Sequence, residues 1–349
     1  MVKCKFFTQC GGCTTMDVDY TKQIQQKQEY LRTLFHQEVP VLKQTNPYSF
    51  RNRMDFVITA DKLGLKQSYK EVVDISRCEV LKEPLNKILT TIREWFSTEE
   101  LTGCTPGSFD GFLRFVMLRG DDQEQQVTLT TTTHEHQEAI LRLADNLAVK
   151  SFVWLVEEES TERSVGSKEV LVVGEREITL RLANKQFLIS SHTFFQTSPE
   201  MAEKAIEYMK RYVHGRVLDL YCGVGVLGQA LSSEVVGVDS NKENVLQARR
   251  NAEINSVQAE YFVEDAARFL RKEAFDTIIV DPPRTGLQTG VHSLLASNAE
   301  TIVYLSCNPK TQARDLVFLK QVYEVIDLQA FDFFAHTEHV ECLAVLRKK

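Results

Sequence analysis

The sequence predicts an α/β protein, with a doubly wound parallel sheet in its C-terminal half and a β-rich part with few helices before it. Three observations carry that prediction. From about residue 195 strand-like runs alternate with helical ones, the pattern of a sheet whose strands are joined by crossover helices. Between about residues 50 and 190, closely spaced strand-like runs follow one another as in an antiparallel sheet. The length, 349 residues, exceeds what one ordinary core serves, so two or three domains are expected.

Composition narrows the class. Hydrophobic residues make up 43% and charged residues 26%, the balance of a globular chain. There is no run of about 18 apolar residues and no basic-apolar-small leader, so neither a membrane span nor a signal peptide is expected; a cytoplasmic location and a monomer are the accompanying expectations. Against 41 basic residues stand 48 acidic ones, a formal charge of −7. That argues against a bulk binder of polyanions but leaves room for a local basic stripe. Eight cysteines in such a chain do not read as a disulfide framework.

In chain order, residues 1–20 are cysteine-rich and irregular, and YTKQIQQKQEYLRTLF (20–35) has helical spacing. RMDFVITA and LGLKQSY read as strands around a turn, LKEPLNKILTTIREWF (81–96) as a helix, and FLRFVMLRG, QVTLTTTT, SFVWLVEE, EVLVVG and EITLRLANKQFLIS as further strands. SPEMAEKAIEYMKRYV opens with Ser198 at the N-cap and Pro199 at the first helical position. RVLDLY, EVVGVDS, FDTIIVD and TIVYLS then alternate with helices, and YEVIDLQAFDFFAHTEHVECLAVLRKK ends the chain as two strands joined by a loop.

VLDLYCGVGVLG contains a G-x-G-x-x-G at Gly223, Gly225 and Gly228. A dinucleotide enzyme is one reading. Asp219 and Asp239, which end the first two strands, favour another: Asp239 suits a ribose diol, and an acid beside the first turn suits the cationic amino-acid end of S-adenosylmethionine better than a pyrophosphate. In DPPRTG (281–286), two prolines after an acid make a stiff turn at the top of the sheet, where a target base can rest.

Cys307, in IVYLSCNPKTQARDL, sits where a strand stops and a helix starts. That is the setting of a thiolate nucleophile whose pKa a helix dipole lowers, although a free cysteine packed at a loop is the simpler reading in isolation. HTEHVEC (336–342) tips the balance, because Glu341 can serve such a nucleophile as base. His336 and His339 offer a metal site only weakly. Cys4, Cys10, Cys13 and Cys78 supply four thiolates, enough for zinc or a [4Fe–4S] cluster, and their spacing does not choose.

The set FFQTSPE, LDLYCGVG, DPPRTG, LSCNP and HTEHVE, in this order, resembles the RNA uracil-C5 methyltransferase family. The resemblance is strong over about the last 160 residues and extends through FRNRMDFVI to CGGC, which recurs in members with an iron–sulfur cluster. It implies a C-terminal Rossmann-like class I methyltransferase domain (191–349), a β-rich (α+β) RNA-binding domain (49–190) and a cluster-binding segment with its helix (1–48). It implies Cys307 as nucleophile and Glu341 as the base that takes the C5 proton. Gln196, Tyr221, Gly223, Asp239, Asp265 and Asp281 would contact S-adenosylmethionine, and Cys4, Cys10, Cys13 and Cys78 would hold [4Fe–4S]. Val226 and Ala335 depart from the family pattern, the first at a polar cofactor contact and the second at a loop proline.

For RNA contact, Arg51 and Arg53 share a strand face beside Phe50, followed by Lys62, Lys66 and Lys70, and Arg114 and Arg119 form a second pair. The chain starts close to Cys4, which leads to the expectation that it lacks an extra N-terminal RNA-binding barrel. That shorter form resembles enzymes of the 23S rRNA uridine-747 type, with tRNA uridine 54 as the alternative. Two other classes stay open: an inactive RNA-binding iron–sulfur protein, and an exocyclic-amine methyltransferase needing no cysteine.

Overall fold

The computed structural model describes residues 2–68, 71–105, 110–159, 161–266, 268–269 and 274–349. The chain divides into two compact units. One comprises residues 2–17, 46–180 and 190–192, the other residues 18–45, 181–189 and 193–349. The expected 1–48 segment is therefore split: α1 (Tyr20–Phe35) and β1 (Val41–Leu42) belong to the C-terminal unit. The reason is hydrophobic. Ile24 and Leu31 of α1 and Val41 of β1 are part of that unit's core.

The N-terminal unit holds β2 (Arg53–Ile58), β3 (Leu63–Lys66), β4 (Val72–Asp74), α2 (Glu83–Thr98), β5 (Leu113–Gly120), β6 (Gln125–Thr131), α3 (Gln137–Asn146), β7 (Ser151–Val156) and β8 (Lys168–Gly174). Among the described residues its sheet runs β4-β3-β2-β5-β6-β7-β8. Every pair is antiparallel except β6 and β7, which are parallel. The all-antiparallel expectation fails there because AILRLADN folds as α3, a crossover helix that a parallel neighbour requires. β2 alternates half-buried and buried positions, whereas all eight residues of β5 are buried. A hairpin follows, β9 (Ile178–Leu182) with β10 (Lys185–Ile189).

The C-terminal unit continues with α4 (Pro199–Met209), β11 (Val217–Leu220), α5 (Val226–Leu231), β12 (Glu234–Asp239), α6 (Lys242–Ile254), β13 (Gln258–Val263), β14 (Thr277–Val280), α7 (Gly290–Leu295), β15 (Thr301–Ser306), α8 (Pro309–Leu319), β16 (Tyr323–Phe331) and β17 (Glu341–Lys348). Its sheet runs β1-β16-β17-β15-β14-β11-β12-β13. The central pairs are parallel, and β17 lies antiparallel between β15 and β16. Strands β11, β14 and β15 are wholly buried, as expected for a sheet covered on both faces. Leu218, Val280, Ile302, Tyr304, Ala344 and Leu346 share one core. Each fully buried aliphatic side chain there is worth about 1.5–3 kcal/mol.

The connection after β11 goes to β12 on one side, and β14 flanks β11 on the other, so the strand order reverses at β11. A crevice opens at the carboxyl ends of strands at such a reversal. Pro199 and Pro309 each stand at the first turn of a helix, with Ser198 and Asn308 in extended backbone before them. Ser198 Oγ does not cap α4. It accepts from Gln44 Nε2 at 2.8 Å.

Candidate active site

At the reversal, β11 leads into a turn with three left-handed residues, Tyr221 (φ 63°), Gly223 (φ 53°) and Gly225 (φ 85°). A side chain added at Gly223 would meet nothing within 4 Å, so the backbone there faces open space, suited to close approach by a ligand. Gly223 N–H donates to Asp239 Oδ2 at 2.9 Å, and Asp239 Oδ1 accepts from Asn241 N at 2.8 Å. The carboxylate is thereby fixed at the end of β12 and keeps lone pairs for ribose hydroxyls. Asp219 plays a different part from the one the sequence suggests. It is wholly buried, and its Oδ2 accepts from Gly228 N at 2.9 Å, holding α5 against β11, while its Oδ1 has no partner among the described residues. Burial pushes its pKa up to about 7.

Asp281 follows β14, and Gln196 Nε2 reaches its Oδ2 at 3.4 Å. Asp265 is exposed and pairs with Arg268 at 3.4 Å; its charge raises the pKa of the nearby Tyr221 phenol after burial has done most of that work. Thus Gln196 and Asp281 are joined directly, as are Gly223 and Asp239.

Register brings the predicted pair together. In the antiparallel ladder of β15 and β17, Ser306 faces Cys342, so one further step sets Cys307 opposite Glu341. Glu341 is buried, and burial followed by the neighbouring Asp281 charge raises its pKa well above the usual carboxylate range. Burial also pushes Asp281 up to about 7. The lowered thiol pKa expected from α8 is not found. Burial, then the Glu341 and Asp281 charges, push Cys307 up to about 11, outweighing the opposing pull of Arg284.

Arg284, in the DPPRTG loop, is a further residue of the site. Its NH2 lies 3.4 Å from His339 Nδ1, while Asn308 Nδ2 and Thr311 Oγ1 donate to its carbonyl at 2.9 and 3.3 Å. The loops after β14 and β15 are stapled in this way. Sequence reasoning also missed the support from α1. Gln23 Oε1 accepts from His336 N at 3.0 Å while its Nε2 meets His336 Nδ1 at 3.2 Å. Lys27 donates to Asp332 Oδ1 at 2.5 Å and to Phe334 O at 3.1 Å. The signal was present as Gln23 and Lys27, four apart, on the helix face that also carries Ile24 and Leu31. His336 Nδ1 meets Gln23 and His339 Nδ1 lies beside Arg284, so those two nitrogens do not share a metal.

In the N-terminal unit, Cys4, Cys10, Cys13 and Cys78 line one cavity with Gly11, Gly12 and Arg51. Gly12 N–H donates to Cys10 Sγ at 3.3 Å, and the loop of Cys78 is strapped by Asn86, whose Oδ1 accepts from Cys78 N at 3.0 Å. Burial, followed by repulsion from the other thiols, pushes Cys13 up to about 12; burial pushes Cys78 to about 11. Among the described residues, no group of three or more His, Cys, Asp or Glu side chains is gathered closely enough for a single metal ion. Four thiols lining one cavity supply the number of donors that a four-thiolate group takes.

The arginines predicted to meet RNA are otherwise engaged. Arg114 is buried and donates to the carbonyls of Glu157 at 2.6 Å, Glu159 at 2.8 Å and Thr161. Arg119 is buried, donates to Ser190 O at 2.7 Å, and is lowered to about 9 by burial. Both lie on β5, which neighbouring strands and covering segments enclose. Arg51 lines the thiol cavity, and Arg53 makes a bidentate pair with Asp55 at 2.9 and 2.8 Å. Lys66 pairs with Glu162, Lys62 is exposed, and Lys70 lies outside the described residues. No helix among the described residues is long and apolar enough to cross a membrane.

A model of the family described as tRNA (Uracil-5-)-methyltransferase matches residues 19–349. The tRNA (uracil(54)-C(5))-methyltransferase of Pyrococcus horikoshii is 35% identical over 351 residues, covering 99% of this chain and 85% of that one. Its Pyrococcus furiosus counterpart is 33% identical over 357 residues, with the same coverage. The 23S rRNA (uracil(747)-C(5))-methyltransferase of P. horikoshii is 30% identical over 358 residues, covering 99% and 85%. The crystal structure of Pyrococcus abyssi tRNA (uracil-54, C5)-methyltransferase in complex with S-adenosyl-L-homocysteine matches with a TM-score of 0.88 at 33% identity, covering 97% of this chain and 86% of that one. The expected likeness to the 23S uridine-747 type is thus corrected: the relatives named for tRNA uridine 54 are more similar.

Proposed function

We propose that this chain, which belongs to the tRNA (Uracil-5-)-methyltransferase family and is an S-adenosylmethionine-dependent RNA uracil-C5 methyltransferase, acts on uridine 54 of tRNA through Cys307 and Glu341. The observation that carries the residue roles is the β15–β17 register, which sets a half-buried thiol opposite a buried carboxylate at the rim of the crevice. The greater similarity to tRNA uridine-54 relatives supports the substrate.

S-adenosylmethionine supplies an electrophilic methyl group. Gly223 and Tyr221 form the bed it approaches, Asp239 takes the ribose hydroxyls, and Gln196 with Asp281 and Asp265 receive the rest. Uracil C5 alone is too weak a nucleophile for that methyl. Addition of the Cys307 thiolate at C6 moves the C5–C6 π electrons onto C5 and O4, and C5 then bonds to the methyl carbon as the methyl–sulfonium bond breaks and S-adenosylhomocysteine is left. Glu341 removes the C5 proton, the electrons of that C–H bond restore the C5–C6 double bond, and the C6–S bond breaks to release the thiolate. Reaching both faces of the ring requires the base to leave its stack. In the N-terminal unit, Cys4, Cys10, Cys13 and Cys78 would hold a [4Fe–4S] cluster, which would tie the first residues to the β-rich sheet.

The test is methylation of two transcripts by the purified protein, with 5-methyluridine mapped by mass spectrometry: a tRNA and a 23S fragment spanning uridine 747. Product at position 54, abolished by U54C in the tRNA, is the expected result. Product confined to the 23S fragment sinks the tRNA assignment. A Cys307→Ala protein retaining full activity sinks the nucleophile.

A further inference from the structure

We propose that Arg51 is the counter-cation of the [4Fe–4S] cluster and sets its reduction potential, and does not grip RNA. The inference rests on the cluster reading above.

Three cationic side chains line the thiol cavity: Arg51, Lys66 and Arg77. Two are already neutralised. Lys66 pairs with Glu162, and Arg77 pairs with Glu79 at 3.3 Å and Glu83 at 2.6 Å. Arg51 is different. Among the described residues no carboxylate lies within ion-pair distance of it, and its buried Nε donates to nothing. Arg53, two residues on, is held by Asp55 instead.

The chain fixes Arg51 against the loop of a cysteine. Arg51 N–H donates to Val80 O at 2.8 Å, Lys82 N–H donates to Arg51 O at 2.9 Å, and Arg51 forms a bridge with Leu81. Cys78 begins that same loop, so the guanidinium and one of the thiols are held by one stretch of backbone. The rest of the lining includes Phe6, Phe7, Met16, Met54 and Val80, which offer no charge.

The chemistry calls for a cation at this place. Four thiolates outweigh the positive charge of an iron–sulfide core, so the group is anionic, and it becomes more so when it accepts an electron. A buried anion without a partner is unfavourable, and cluster potentials follow net charge, hydrogen bonds to sulfur and exposure. A fixed guanidinium favours the reduced form more than the oxidised form and so raises the potential. An unpaired arginine is equally hard to explain without an anion facing it.

The experiment compares wild type, Arg51→Met and Arg51→Lys, purified anaerobically. Iron and acid-labile sulfide are counted, the potential is titrated by electron paramagnetic resonance, and tRNA affinity is measured over a range of salt. With the charge removed, the Arg51→Met protein is expected to carry iron and sulfide as wild type does. Its one-electron reduction equilibrium should be at least tenfold less favourable, about 59 mV, and its colour should bleach faster in air. Arg51→Lys should stay within about threefold of wild type, and tRNA affinity should not change in either. Cluster assembly in Arg51→Lys but not in Arg51→Met also supports the assignment, because only charge separates them. An unchanged potential in a fully loaded Arg51→Met protein overturns it. So does a loss of tRNA affinity with a salt slope reduced by about one, the signature of a phosphate contact. Failure of both variants to take up iron shows that shape rather than charge matters, and overturns it too. An iron-free wild type overturns the cluster itself, and the role of Arg51 with it.

Discussion

Replacing Lys27 by Met should unsettle the active-site loop from a distance of some three hundred residues in sequence. Lys27 and Asp332 are 4% and 0% exposed and lie 2.5 Å apart. Asp332 Oδ2 also accepts from Tyr20 OH at 2.7 Å, and Lys27 also donates to Phe334 O. Taking away the ammonium leaves a buried carboxylate with a phenol as its remaining partner and a backbone carbonyl short of a donor. Breaking a buried pair in this way costs about 3–5 kcal/mol, a large part of a typical stability of about 5–15 kcal/mol. Loss of burial on the α1 side is small, because Met fills nearly the same volume. The urea midpoint of the C-terminal unit should fall by about 1 M or more. Hydrogen exchange should rise first in residues 332–340, which carry His336 and lead into Glu341. The double variant Lys27→Met with Asp332→Asn removes both charges and should recover most of the loss, a coupling that a double-mutant cycle measures directly. A single-variant cost below about 1 kcal/mol, or a double variant no better than the single, would refute the reasoning.

Two further expectations concern the chemistry. Glu341→Gln, incubated with substrate RNA and S-adenosylmethionine, should give a protein–RNA complex that survives denaturing electrophoresis, because the thioether cannot leave until the C5 proton does; Cys307→Ala should give none, and trapping by Cys307→Ala would reverse the roles. The second is a pH profile. Glu341 must be ionised to take a proton, and its pKa is raised by burial and by Asp281, itself at about 7. Activity should therefore fall as pH drops while still well above the usual carboxylate range near 4. At saturating S-adenosylmethionine, Asp281→Asn should move that acid limb to lower pH by removing the adjacent negative charge, and an unmoved limb would separate the two carboxylates.

The sequence by itself marked many of the elements, though not α3, and singled out the residues to which the chemistry is assigned. Pro199 and Pro309 mark helix starts by their missing N–H, and continuous apolar runs such as RVLDLY and TIVYLS mark strands covered on both faces. The glycine turn, DPPRTG and LSCNP lie at strand ends, so the rim of the crevice was legible before any pairing was known. Cys4, Cys10, Cys13 and Cys78 were legible as a set because thiols are scarce.

What the tertiary structure alone decided follows from contacts between residues far apart in the chain. The insertion of β17 antiparallel beside β15 sets Cys307 opposite Glu341, and no local pattern encodes which strand a terminal strand joins. The same holds for α1, whose Gln23 and Lys27 support the loop of His336. Burial made the largest corrections. An arginine on a strand reads as a surface cation, yet β5 lies inside its sheet, and Arg114 and Arg119 spend their donors on backbone carbonyls. The pKa of Cys307 moved in the opposite direction from the one a helix start predicts, because desolvation and two neighbouring carboxylates outweigh a dipole that acts only over the first turn. Charge is written in the sequence, but what faces it is set by the fold.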